Sequence, residues 1–159
     1  MWVASAAPLD AAGLQPPLAL LPIRGWSEVT RKALRFALKI TPDVYALHVA
    51  DDETTMADLE DTWEQRVCEP SAAAGIAAPK LFVIYSPYRR LSGPLKLVVS
   101  DLQRAHPGRD LAVIVPELVA TRWYHYLLHN QTAAVLKAYL LFSGFRRVVV
   151  INVPWYLSV

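Results

Sequence analysis

Apolar and polar positions along the 159 residues alternate between short unbroken apolar runs and longer stretches of helical period. The first run, Leu18 to Ile23, is apolar throughout, as a strand covered on both faces requires. Ser27 can cap a helix whose apolar positions Val29, Ala33, Phe36, Ala37 and Ile40 share one face, and Pro42 stops it. Asp43 to Ala50 reads as a second strand. Met56, Leu59, Trp63 and Val67 predict an acidic-faced second helix over about Thr54 to Cys68. An Ala-rich loop from Glu69 to Pro79 leads to a third strand, Lys80 to Tyr85. Pro94 suits the start of a third helix, which carries Leu95, Val98, Leu102 and Ala105 to about His106. Pro107-Gly108 turns the chain into a fourth strand, Asp110 to Val115. Thr121 to His129 and Thr132 to Phe142 keep helical periods, with Asn130 between them. Gly144 then ends the helix and Arg147 to Val153 forms a fifth strand.

Strands alternating with helices predict an α/β three-layer sandwich, with right-handed crossovers and a five-stranded, mostly parallel sheet. Residues 1–17, rich in Ala and Pro, read as a flexible leader, and 18–159 as one domain. The leader lacks the basic start and long apolar centre of a secretion signal. Past the fifth strand, Pro154-Trp155-Tyr156-Leu157 is an apolar tail. An exposed edge strand with such a tail predicts a homodimer joined through that edge.

Composition adjusts this picture. A mean hydropathy of +0.26 is high for a small soluble domain and favours strands buried on both faces, a covered dimer surface, or both. No run reaches the roughly 18 apolar residues that span a bilayer, so the isolated chain is expected to be soluble. A net charge of +2, with Lys and Arg scattered, points away from nucleic acid. Cys68 is the single cysteine, which excludes an intramolecular disulfide and suits a reducing compartment.

The candidate chemistry gathers where strands end. Arg24 follows the first strand, Ser86, Tyr88, Arg89 and Arg90 follow the third, and Arg122 follows the fourth. In a parallel sheet these loops share the edge at which ligands bind, and guanidinium forks suit phosphate. The same arginines can equally be solvated, or paired with Asp51, Asp52 or Glu117. In the stretch Arg122-Trp123-Tyr124-His125-Tyr126, helical spacing puts Arg122, His125 and His129 on one face. Asn130, Gln131 and Thr132 follow, so the segment can stack a base and hydrogen-bond its edge, or simply be an amphipathic helix. His125 and His129 have the spacing of a zinc pair, but no Glu general base lies between them and neither His106 nor Cys68 is clearly placed to complete a site. Ser86 and Ser92 lack a nucleophile elbow, and Cys68 has no evident base, so no enzyme is expected. Asp51-Asp52 can receive a ribose hydroxyl or magnesium, or cap the following helix. Neither a Gly-x-Gly-x-x-Gly nor a Walker loop occurs.

The order of elements resembles the universal stress protein fold, also called adenine nucleotide alpha hydrolase-like. The specific sequences resemble the cytosolic carboxy-terminal domain of some bacterial amino acid–polyamine–organocation (APC) permeases. The matching residues are Pro22 and the following loop, Asp43-Val44-Tyr45-Ala46-Leu47-His48-Val49, Ser86-Pro87-Tyr88-Arg89, Val115-Pro116-Glu117, Leu128-His129-Asn130-Gln131-Thr132 and Asn152-Val153-Pro154-Trp155-Tyr156-Leu157. They span Leu18 to Leu157. ATP-binding stress proteins carry an Asp at the end of the first strand, where this chain has Pro22-Ile23-Arg24, and a glycine-rich loop after the fourth. Here Pro116 to Thr132 holds no glycine, so the resemblance does not imply ordinary ATP binding. In potassium-importing relatives the similar dimeric domain binds cyclic di-AMP, which inhibits transport. The resemblance therefore implies a non-catalytic, dimeric regulatory domain on the cytoplasmic face of the bacterial inner membrane, attached to a transporter's membrane domain. Arg24, Arg89 and Arg90 would contact phosphate, and His129 to Thr132 would help define a base pocket. A ligand-free dimerisation module and a stand-alone ATP-binding stress protein remain the alternatives.

Overall fold

The structure, a computed structural model, describes residues 6–86, 92–119 and 144–156, with the backbone alone at 92, 117–119 and 154–156. Five strands, β1 (Leu18–Ile23), β2 (Val44–Ala50), β3 (Lys80–Tyr85), β4 (Leu111–Val119) and β5 (Val148–Tyr156), form one sheet in the order β3-β2-β1-β4-β5. Every pairing in it is parallel. The apolar runs thus locate β1 and β3 to the residue. β4 and β5 are longer than the sequence suggests. Pro154, Trp155 and Tyr156, read above as a tail, pair with Glu117, Leu118 and Val119, so each strand's extension exists because the other supplies a partner.

Helix α1 (Glu28–Ile40) begins at Ser27, whose Oγ accepts the Thr30 N–H at 3.2 Å, and ends at Thr41, just before Pro42. Helix α2 (Glu53–Trp63) is capped by Asp52, which takes both the N–H and the hydroxyl of Thr55. The helical path then continues through a π-turn, Glu64–Cys68, into α3 (Glu69–Ala73), where a loop was expected. Pro70 does not break it because a proline is tolerated in the first turn, where its missing N–H has no helical partner. The wide turn just before it resets the hydrogen-bonding frame. Ser71, buried, donates to the Val67 carbonyl at 2.6 Å and ties the two pieces together. Helix α4 (Ser92–Ala105) starts two residues ahead of Pro94.

The helices cover both faces. Ala33, Leu34 and Ala37 of α1, with Trp63 and Val67, pack on Ala19, Leu21, Ala46 and Ile114. Leu95, Val98, Val99 and Leu102 of α4 pack on Leu18, Leu20, Leu47 and Val113 on the other face. β1 alternates between the two cores, which is why it is apolar at every position. Its three leucines are each at most 1% exposed, and burying a leucine contributes roughly 1.5–3 kcal/mol. The chain winds outward from β1 to β3 on one face, then crosses back over the other face to β4. The winding direction therefore reverses between β1 and β4.

At the amino edge this central pair is fastened. Gly108, at φ 87°, turns the chain so that Arg109 N–H donates to the His106 carbonyl. The Arg109 guanidinium reaches the Asp43 carboxylate at 2.9 Å and the Pro16 carbonyl at 2.7 Å. It joins the starts of β2 and β4 to the segment that leads into β1.

Candidate functional site

The carboxyl edge behaves differently, and backbone hydrogen bonding explains it. Leu18 N–H donates to Asp110 and Ala19 N–H to Asp43. Backbone groups of successive strand residues point to alternate sides, so Leu18, Leu20 and Pro22 face β4. Leu111 N–H donates to Arg147, so Ala112, Ile114 and Pro116 face β1. The β1–β4 register runs Leu18↔Leu111, Ala19↔Ala112, Leu20↔Val113 and stops, although both strands continue. The next two bonds of a parallel ladder would come from the N–H of residue 22 to the Ile114 carbonyl, and from the N–H of residue 116 to the Pro22 carbonyl. Both donors are prolines and have no N–H. The β1–β4 ladder therefore ends at Leu20, at the point where the winding reverses.

His48 secures the other side of the β1 end. Its ring, 6% exposed, places Nδ1 3.2 Å from the Ile23 carbonyl. A carbonyl only accepts, so Nδ1 is the donor and the end of β1 stays stitched to β2. Gly25, at φ 145°, lets the chain leave β1, and Thr30 holds its carbonyl at 2.7 Å. Trp26 packs edge-on to Trp63, with ring centroids 6.4 Å apart.

Of the predicted site residues, Arg24 stands exposed directly after β1, beyond the end of the β1–β4 ladder. Ser86 follows β3, and its N–H donates to the Ala50 carbonyl at 2.8 Å, extending the β2–β3 ladder by one bond. Arg24 and Ser86 thus share the carboxyl edge with β2 between them. Tyr88, Arg89, Arg90, Arg122, His125, His129, Asn130 and Thr132 lie outside the described residues, as do the two helices predicted between Thr121 and Phe142. Asp52 caps α2, which is the structural role that its sequence position allowed.

Helix charge separates the possible anion positions at this edge. α1 and α2 carry Glu28 and Glu53 in their first turns, matching their own positive dipole ends. Arg31 bonds Glu28 and holds its carboxyl below the usual range. The first turn of α4 has no acidic residue, and Arg89 and Arg90 immediately precede it in the sequence. At Cys68 burial pushes the thiol up, and a hydrogen bond to Glu64 adds to the rise.

What sequence reasoning missed is the pair Pro22 and Pro116. Both were visible, and a proline in a strand flanked by partners is the available signal. Which neighbour each one fails is set only by the strand order.

A parallel sheet whose winding reverses between β1 and β4 makes this chain a doubly wound α/β domain, in which ligands characteristically bind at the reversal. Residues 15–155 match the KimA potassium transporter C-terminal domain family, and the chain belongs to that family. Its similarity to the potassium transporter KimA of Bacillus subtilis (strain 168) is 24% identity over 139 residues, covering 86% of this chain and 21% of that protein. The chain thus spans about a fifth of the length of the curated relative it matches.

Proposed function

We propose that this chain is a non-catalytic regulatory domain of a bacterial APC-type potassium transporter, and that it senses cyclic di-AMP as a dimer. On this reading it adopts the universal stress protein fold and hangs on the cytoplasmic side of a membrane domain. The carrying observation is the winding reversal between β1 and β4, where the ladder breaks off toward the carboxyl edge, in a domain whose family is defined on a potassium transporter. Arg24 beyond the end of that ladder, and an α4 amino terminus that its own sequence leaves without a carboxylate, support an anionic ligand there. Arg89 and Arg90 supply the phosphate contacts. His129, Asn130 and Thr132 contribute to the base pocket together with Arg122 and His125.

Calorimetric titration of the 159-residue chain with cyclic di-AMP tests this. The native chain should release or take up heat at micromolar ligand, and Arg89→Ala and Arg90→Ala should each weaken binding at least tenfold. Absence of heat at high micromolar ligand rejects the ligand.

A second reading, dimerisation without ligand, is favoured by the β5 edge. The N–H groups of Val148, Val150 and Asn152 point away from β4 by the same alternation, toward a side where no described strand pairs with them, and Pro154 ends that row. Val150→Pro should then convert a dimer to a monomer in sedimentation velocity. A dimer that survives this change is joined elsewhere.

A further inference from the structure

The amino edge of the sheet carries exposed cations that neither the fold nor a carboxyl-edge ligand uses. In this parallel sheet every strand begins there, and neighbouring strands lie about 4.8 Å apart, so the five entries form a line roughly 20 Å long. Arg104 and Arg109 stand at this edge already paired, with Asp101 at 3.8 Å and Asp43 at 2.9 Å. Lys39, in the last turn of α1, and Arg146 and Arg147, which lead into β5, are exposed and have no ion pair among the described residues. Asp110, exposed before β4, offsets one of them. The Arg147 backbone sits at φ 60°, a conformation uncommon outside glycine. Its Nη1 lies 3.3 Å from where a Cβ on Gly108 would stand, and Gln103 donates to the Arg146 carbonyl, so this turn is fixed against the end of α4.

Apolar side chains stand among these charges. Pro42 and Ile76 are exposed at the same edge, beside a shallow cleft of Leu38, Ile40 and Ala77. Leu9 and Leu14 are exposed in the segment ahead of β1, and Arg109 fastens that segment to the edge through the Pro16 carbonyl. Unpaired cations with single apolar side chains between them are what an anionic bilayer surface binds. A folded acidic partner would call for one contiguous patch, whereas a fluid layer of headgroups adapts to charges spread along a line. We propose that the amino edge is a lipid-facing surface, on which Arg146, Arg147 and Lys39 bind the phosphates of anionic phospholipids while Ile76, Leu9 and Leu14 enter the interface. The inference rests on the attachment to a membrane domain proposed above and not on the ligand. It places the carboxyl edge, at the other end of the strands, away from the bilayer and open to solution.

Vesicle flotation of the 159-residue chain tests the surface. At low ionic strength, mixed phosphatidylglycerol–phosphatidylcholine vesicles should carry about tenfold more chain than phosphatidylcholine alone, and added salt should release it. Arg146→Glu combined with Arg147→Glu should lower binding by about tenfold, and Lys39→Gln by a smaller factor. A matched reversal of exposed cations away from the edge, Arg35→Glu with Lys96→Glu, should leave most of the binding in place. The comparison of vesicles needs no variant, so it holds even where the turn variant fails to fold. Equal binding to the two kinds of vesicle, or an equal loss in the matched reversal, overturns the proposal; the first result leaves an acidic protein surface as the partner of this edge. A chain that ignores anionic vesicles but gives heat with cyclic di-AMP overturns the lipid surface alone. One that binds them without responding to cyclic di-AMP supports the surface and rejects the ligand.

Discussion

The two ends of the β1–β4 pair make a useful contrast. At the amino end, Leu18 and Leu111 are paired, buried and locked below by Arg109, which bridges Asp43 and the Pro16 carbonyl. At the carboxyl end the same strands run on side by side without a ladder, because each presents a proline to the other. Pro16 and Pro22 thus have opposite outcomes. Pro16 offers a carbonyl and a guanidinium takes it, whereas Pro22 withholds a donor and nothing in the ladder replaces it. A proline closes or opens a sheet according to which neighbour its backbone faces.

The largest expected effect lies at the closed end. Leu111→Ala removes a side chain that is 1% exposed in the core under α4 and should lower unfolding free energy by about 2–5 kcal/mol in denaturant titration. An effect below this range would mean that the closed end is looser than its packing implies. Arg109→Ala deletes two hydrogen bonds to charged or strong acceptors and should cost about 1–3 kcal/mol. Arg109→Lys should recover only part of that, since one ammonium cannot present the same planar fork. Limited proteolysis should cut the segment before β1, near Pro16, faster in both variants.

At the open end stability should hardly move. Pro116→Ala gains one ladder bond of about 0.5–1.5 kcal/mol but frees the unfolded chain by about 0.4–1 kcal/mol, so the net change should stay within about 1 kcal/mol. A loss of several kcal/mol would show that Pro116 is a packing residue and not a missing donor. The smallest effect concerns the exposed Glu28–Arg31 pair beside the open edge. Its carboxyl titrates below the ordinary range in the folded chain, so what the pair adds is present above the unfolded carboxylate pKa of about 4.3 and is lost as pH falls through the folded value. Any difference in thermal midpoint between the native chain and Arg31→Ala should therefore be slight at pH 7 and shrink further as pH falls through the folded value. A difference that grows on acidification would reverse the assignment.

Local signals carried much of the fold. The run Leu18 to Ile23 and the cap at Ser27 depend only on near neighbours in sequence, and both stand where the pattern puts them. Lys80 to Tyr85 does as well. Glu69 to Ala73 misled because Ala-rich sequence next to Pro70 resembles a loop until the π-turn before it is known. Residues 117–119 and 154–156 carry weak strand signals separately and become strands by pairing with each other. Of the expected site, Arg24 and Ser86 reach the predicted edge because a parallel sheet sends every such loop there.

By itself the sequence determined the alternation of strands and helices, the caps, the doubly buried β1 and the placing of arginines after strands. These follow from hydrophobic period and from side chains bonding their own neighbouring backbone. Tertiary structure alone decided that β1 lies between β2 and β4, that Arg109 meets Pro16 and Asp43, and that Pro22 and Pro116 face each other's strand. The physical reason is that a missing N–H has no consequence until a particular carbonyl is brought opposite it, and strand order is what chooses that carbonyl.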